Sequence, residues 1–106
     1  MIARNVTMRL KPNSVAEFTQ TLEKEILPLL RQQKGFQDEL AFIVPGGEEA
    51  VGISLWANRE DAEAYGRDGY PKVLKALEKV LVGTPQVRNG EVFTSTYHKI
   101  TTAVPA

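Results

Sequence analysis

The stretch that decides the fold is Ile53–Tyr65, ISLWANREDAEAY. An apolar run of strand character ends on Trp56, the only tryptophan of the chain. Asn58 then stands where a helix needs its cap, with Asp61 three residues on. The run REDAE (59–63) reads as a solvated helix face whose acids suit the positive end of the helix dipole. Nine residues past the tryptophan comes Tyr65. A strand therefore turns into a helix at a corner flanked by two large aromatics. Such a pair is either the plug of a small core or the wall of a site.

Working outward, AVGISLWA (50–57) and FQDELAFIV (36–44) are strands joined by the turn PGGEE (45–49), which predicts a hairpin. Upstream, residues 2–10 alternate as a strand. Ile2, Val6, Met8 and Leu10 share one face, Ala3, Asn5, Thr7 and Arg9 the other, and Arg4 interrupts the apolar face. KPNS breaks that strand, and SVAE (14–17) has the form of a capping box, so a helix is predicted from about Val15. Val15, Phe18, Leu22, Ile26 and Leu29 give it one apolar stripe. Pro28 should kink it, and Gly35 reads as its C-terminal cap. Downstream, a short helix over 59–67 is interrupted by RDGYP, and Pro71 opens another helix over 71–82. GTPQVRNG (83–90) reads as loop that could hold a strand start, EVFTSTYHKI (91–100) as the last strand, and TTAVPA (101–106) as a mobile tail.

The order β-α-β-β-α-β is the ferredoxin-like, split βαβ arrangement. It predicts an α+β fold, one domain over 1–106, with a four-stranded antiparallel sheet carrying its helices on one face. The second strand is apolar on both faces, with Leu40, Phe42 and Val44 on one and Ala41 and Ile43 on the other. A sheet wet on one face alternates more cleanly. The bare face is therefore expected to meet a second copy of the chain, as a homodimer whose sheets pack or close into a barrel.

A chain of 106 residues buries roughly two thirds of its unfolded surface, enough for one modest core. Thirteen basic and thirteen acidic residues balance without blocks of like charge, so nothing points to nucleic acid or a membrane surface as partner. Cysteine is absent, which removes disulfides and thiolate chemistry and fits a reducing compartment. The N-terminus lacks a signal-peptide pattern and no run approaches a membrane span, so a cytoplasmic location is expected. A single histidine, His98, rules out a histidine-cluster metal site, and no metal is expected. No glycine-rich nucleotide fingerprint is present. Ser54 or Ser95 could be set with His98 on paper, but no G-x-S-x-G context supports a hydrolase.

Residues 2 to 100 resemble the antibiotic biosynthesis monooxygenase family of dimeric α/β barrels. The resemblance rests on IARN with Asn5, GFQDELAF, ISLWANREDAEAY and YPKVLKALEKVL. It implies oxidation of a phenolic, quinol or polyketide-like aromatic by O2 without a cofactor. Once deprotonated, such a substrate can itself reduce O2. The protein then supplies a dry pocket, a donor for the oxyanion and a proton acceptor. On this reading Asn5, Tyr65 and His98 are the candidate catalytic residues. Trp56, Phe18, Leu22 and Arg4 are the candidate substrate-binding residues, in a pocket between sheet and helices.

Each has a plainer reading. Asn5 can be a rim residue, Trp56 core packing, Tyr65 a core-edge ring with a wet hydroxyl, and His98 a solvated side chain. Arg4 can pair with an acid across a dimer or meet an anionic ligand. Tyr70 is expected in a loop over the pocket mouth. A non-catalytic binding or sensing module on the same fold is the alternative function. Heme degradation is a third. It resembles a triad in which Asn5 matches, but Tyr65 stands for a tryptophan and Lys75 for the histidine. A lysine is protonated at neutral pH and ligates iron poorly, which argues against it.

Overall fold

The computed structural model describes residues 1–100; the expected mobile tail, 101–106, lies outside the described residues. The strands are β1 (Ile2–Leu10), β2 (Phe36–Ile43), β3 (Glu49–Trp56) and β4 (Leu81–Glu91). They form one four-stranded sheet in the order β2-β3-β1-β4, with every pairing antiparallel. The helical segments are α1 (Val15–Thr21), a π-helical turn (Leu22–Ile26), α2 (Leu27–Arg31), α3 (Arg59–Asp68) and α4 (Tyr70–Leu77). This is the α+β, split βαβ arrangement that the element order predicts.

Register decides which side chains meet the helices. Arg4 pairs with Ser54, Val6 with Gly52 and Met8 with Ala50 across β1–β3. Glu39 pairs with Ser54 and Ala41 with Gly52 across β2–β3. These residues share the helix-facing side because side chains alternate along a strand. A register shift between Phe36 and Asp38 lets both Phe36 and Glu39 point inward, although their spacing is odd. The core joins Ile2, Met8 and Leu10 of β1 to Phe18, Ile26 and Leu30 below, with Trp56 fully buried at one end.

Pro28 has the effect expected of it, one turn early. A proline ring clashes with the carbonyl four residues back and offers no N–H. The helix responds with a π turn, in which the Leu27 N–H reaches back five residues to the Leu22 carbonyl. Both ends of that turn, Leu22 and Ile26, face the sheet.

The last strand departs from the sequence reading. It runs over 81–91 rather than 91–100, so the helix expected over 71–82 gives way to a turn after Leu77. The run GTPQVRN, with its turn-forming residues, lies inside it. An edge strand tolerates this composition: Pro85 needs no ladder donor there. Gly83, at φ 70°, sits where the register jumps between Thr7 and Arg9. Ser14 also departs, since its side chain makes no cap bond. Gly35 lies in the turn before β2, after a helix that ends at Arg31, and takes φ 80° with Asp61 packed where a Cβ would sit. No helix among the described residues is long and apolar enough to cross a membrane.

The two caps give a direct contrast. The Asn58 side chain accepts from the Asp61 N–H at 2.9 Å, as its position predicts. Asn58→Ala is expected to cost about 1 kcal/mol, lowering Tm by roughly 4–8 °C in calorimetry. Ser14→Ala, with no cap bond to lose, should stay within about 0.5 kcal/mol of wild type.

Candidate functional site

Between the sheet and the helices lies a cavity with a free volume of about 50 Å³. A buried water needs at least roughly 10–15 Å³, so the cavity as it stands has room for water but is small for an organic ligand. Most of its wall is apolar: Val6 and Met8 from β1, Phe18, Leu22 and Ile26 from the first helical stretch, and Val73, Leu74 and Leu77 from α4. The polar groups are Arg4, Glu39, Ser54, Tyr65 and Tyr70.

Arg4 is there because its position has the parity of Val6 and Met8, and it is only 7% exposed. Its guanidinium carbon lies 4.5 Å from the Tyr70 ring centroid and 5.6 Å from that of Tyr65. Aromatic faces attract a cation in this way. No hydrogen bond or ion pair among the described residues engages it, and its Nε is buried without a partner. The Tyr70 hydroxyl is buried without a partner as well. Helix α3 passes so close that a Cβ on Gly66 would lie 3.1 Å from Arg4 Nη1.

Glu39 is the acid of the cavity. Its carboxyl lies over Gly52, where an added Cβ would be 3.3 Å from Oε1. Burial pushes its pKa up to about 8, and the charge of neighbouring Asp38 adds to the effect. At neutral pH it is mainly a protonated donor, and once ionised it is a strong base for a carboxylate. Burial also raises the pKa of Tyr65 and Tyr70, against the opposing charge of Arg4, so both phenols are neutral donors. The Ser54 hydroxyl accepts from Trp56 Nε1 at 2.8 Å and keeps its own proton free to donate.

Of the residues singled out in the sequence, Arg4, Phe18, Leu22 and Tyr65 are brought together here. Trp56 stands behind them. It is 0% exposed and stacks on Tyr65 with ring centroids 4.7 Å apart, so it supports the wall without lining the cavity. Asn5 is not in the cavity. It pairs with Ile53 on the opposite face of the sheet, where its Oδ1 accepts from the Thr7 hydroxyl at 3.3 Å. His98 is not in the cavity either: it lies beyond β4 with Nε2 3.3 Å from Asp38 Oδ2. Ser54 lines the cavity and Ser95 caps the turn into His98, so no serine–histidine dyad forms. Lys75 is exposed on a shallow depression beside Glu78, and the heme-type triad does not assemble. Tyr70 belongs to α4 and lines the cavity, rather than covering it from a loop.

Glu39 was missed by sequence reasoning. Its signal was present, as an acid with the inward parity of Ala41 and Ile43. Among the described residues no group of three or more His, Cys, Asp or Glu is placed to hold a metal ion.

No protein-family model and no curated protein matches the chain. Solved structures do. A protein of unknown function from Nitrosomonas europaea is 20% identical, with a TM-score of 0.74 and coverage of 90% of this chain and 91% of that one. SnoaB, a cofactor-independent oxygenase from Streptomyces nogalater, is 14% identical, with a TM-score of 0.72 and coverage of 92% and 97%. The ActVA-Orf6 monooxygenase of Streptomyces coelicolor, solved with the ligand nanaomycin D, is 17% identical, with a TM-score of 0.71 and coverage of 89% and 92%. At these identities the likeness shows the fold, which is that of the antibiotic biosynthesis monooxygenases.

The raised pKa of Glu39 has a stability consequence of defined sign. The fold binds the proton more tightly than the unfolded chain, whose value is near 4.5, so stability falls as pH rises from there through about 8. Glu39→Gln should be close to wild type in Tm at pH 5 and higher by roughly 5 °C at pH 9. Thermal melts at the two pH values check this, and a pH-independent difference would contradict the buried acid.

Proposed function

We propose that this chain, built on the fold of the antibiotic biosynthesis monooxygenases, is a cofactor-independent monooxygenase acting on a phenolic or quinol substrate with O2. The observation that supports this is the presence, in one largely apolar cavity, of an acid of raised pKa and a buried guanidinium. Ionised Glu39 accepts the phenol proton. Arg4, with the Tyr65 and Ser54 hydroxyls as neutral donors, holds the resulting oxyanion. The apolar walls keep water from the electron-rich ring while it reduces O2. A phenol with a free ring position becomes a quinone: the ring gains one oxygen atom and loses two hydrogens, which leave as water with the second oxygen. The substrate supplies all four electrons.

The cavity belongs to one chain, and the assembly is a homodimer through the other face of the sheet. Leu40 is 62% and Phe42 48% exposed there, beside Val51, Ile53 and Leu55. A sheet face this apolar is a contact surface. The cytoplasm completes the reading. The small free volume favours one alternative: a non-catalytic binding module whose ligand stabilises it without turnover.

Oxygen-electrode assays with a panel of hydroquinones and naphthols test the reaction. Uptake is expected to rise with pH through about 8, following the ionisation of Glu39. Glu39→Gln should be slower by about 10²–10⁴-fold. No uptake above buffer across the panel rejects the oxygenase in favour of the binding module. Light scattering should give about twice 11.8 kDa, and Phe42→Glu should halve that mass.

A further inference from the structure

We propose that the Arg4 end of the cavity is an anion subsite, which takes the ionised oxygen of a single-ring aromatic ligand, a carboxylate or a phenolate. The proposal rests on reading this cavity as a ligand site, and holds whether or not oxidation follows.

The first support is an uncompensated charge. A buried cation ordinarily has a counter-ion, because desolvation without one is costly. Arg4 has two ring faces and, among the described residues, no carboxylate within 4 Å. Glu39 shares the cavity, but burial keeps it largely neutral at pH 7. A second copy of the chain on the open face of the sheet cannot neutralise Arg4, which points to the opposite side.

The second support is a matched pair of orphans. The Arg4 Nε–H and the Tyr70 O–H are both buried and both unsatisfied. Each is a donor, and the guanidinium lies on the Tyr70 ring. An ionised oxygen admitted beside them, with a small shift of these side chains, is an acceptor of the kind that both lack.

The rest of the wall specifies what the anion is attached to. Phe18, Leu22, Leu74 and Leu77 offer no hydrogen-bonding groups in their side chains, so the body of the ligand is hydrocarbon. The free volume of about 50 Å³ accommodates a headgroup. It is below the roughly 150 Å³ of a cavity that binds benzene. One ring enters if Leu22 and Leu74, which are only partly buried, move apart.

Calorimetric titration with benzoate and its neutral isostere benzamide tests the subsite. Benzoate is expected to bind wild type at least about tenfold more tightly. Arg4→Met should abolish that preference. It should also raise the Tm of the ligand-free protein, because it removes an unpaired buried charge. Arg4→Lys should retain part of the preference if Arg4→Met proves poorly folded. Titrating 4-nitrophenol on either side of its own ionisation, in the Glu39→Gln protein, distinguishes the two anions. Tightening with pH identifies phenolate, whereas binding of benzoate alone identifies carboxylate. Equal affinity for benzoate and benzamide, a preference that survives in Arg4→Met, or no binding of any probe to wild type overturns the proposal. Benzoate preference without O2 uptake would reject only the oxygenase reading.

Discussion

The stack of Trp56 on Tyr65 is the contact on which the rest of the site depends. The rings lie at 24° to each other with centroids 4.7 Å apart, and Phe36 meets the indole edge-on at 5.6 Å. One pair thereby ties the end of β3 to the middle of α3. The indole N–H is satisfied by Ser54, so the tryptophan can be wholly buried without an orphaned donor. With α3 so placed, the chain must turn at once into α4. Gly69 is the residue at that turn, since a Cβ there would meet Tyr65 Cδ1 at 2.7 Å. Tyr70 follows directly and brings its ring over Arg4.

This aromatic framework makes an unusual electrostatic situation tolerable. A buried guanidinium and a half-buried carboxyl line the same small cavity without forming an ion pair. Two aromatic faces compensate part of the charge of Arg4. Glu39 avoids its own desolvation by holding its proton, and Asp38 on the neighbouring position strengthens that choice. His98 meets Asp38 from outside the cavity, with Nε2 3.3 Å from Oδ2. The result is an apolar space with unpaired donors in its wall, the arrangement on which the proposed anion subsite rests.

The two faces of the sheet divide the work. The inward face carries the cavity, and the outward face carries Leu40 and Phe42. Parity along β1 sorts Arg4 from Asn5, one residue apart, into these different roles. A polar residue in a strand is thus informative only together with its register. Asn5, a site candidate through the family resemblance, faces away from the cavity, and Glu39, next to Asp38 in the sequence, faces into it.

What the sequence determined by itself was local. Alternation placed β1, β2 and β3, Asn58 placed the start of α3, Pro28 placed a helix irregularity, and the order of elements placed the fold. These follow from contacts within a few residues, so a short window contains their causes. Arg4, Phe18, Leu22 and Tyr65, candidates through the family resemblance, do meet in the cavity. Tertiary structure alone decided β4, because its stability comes from pairing with β1 some eighty residues away, which overrides its glycine and proline. It also decided that Phe36 shares the inward face with Glu39, through a register shift between Phe36 and Asp38 that no local pattern encodes. The pKa of that carboxyl and the solitary charge of Arg4 follow from burial, a property of the packed chain rather than of any segment.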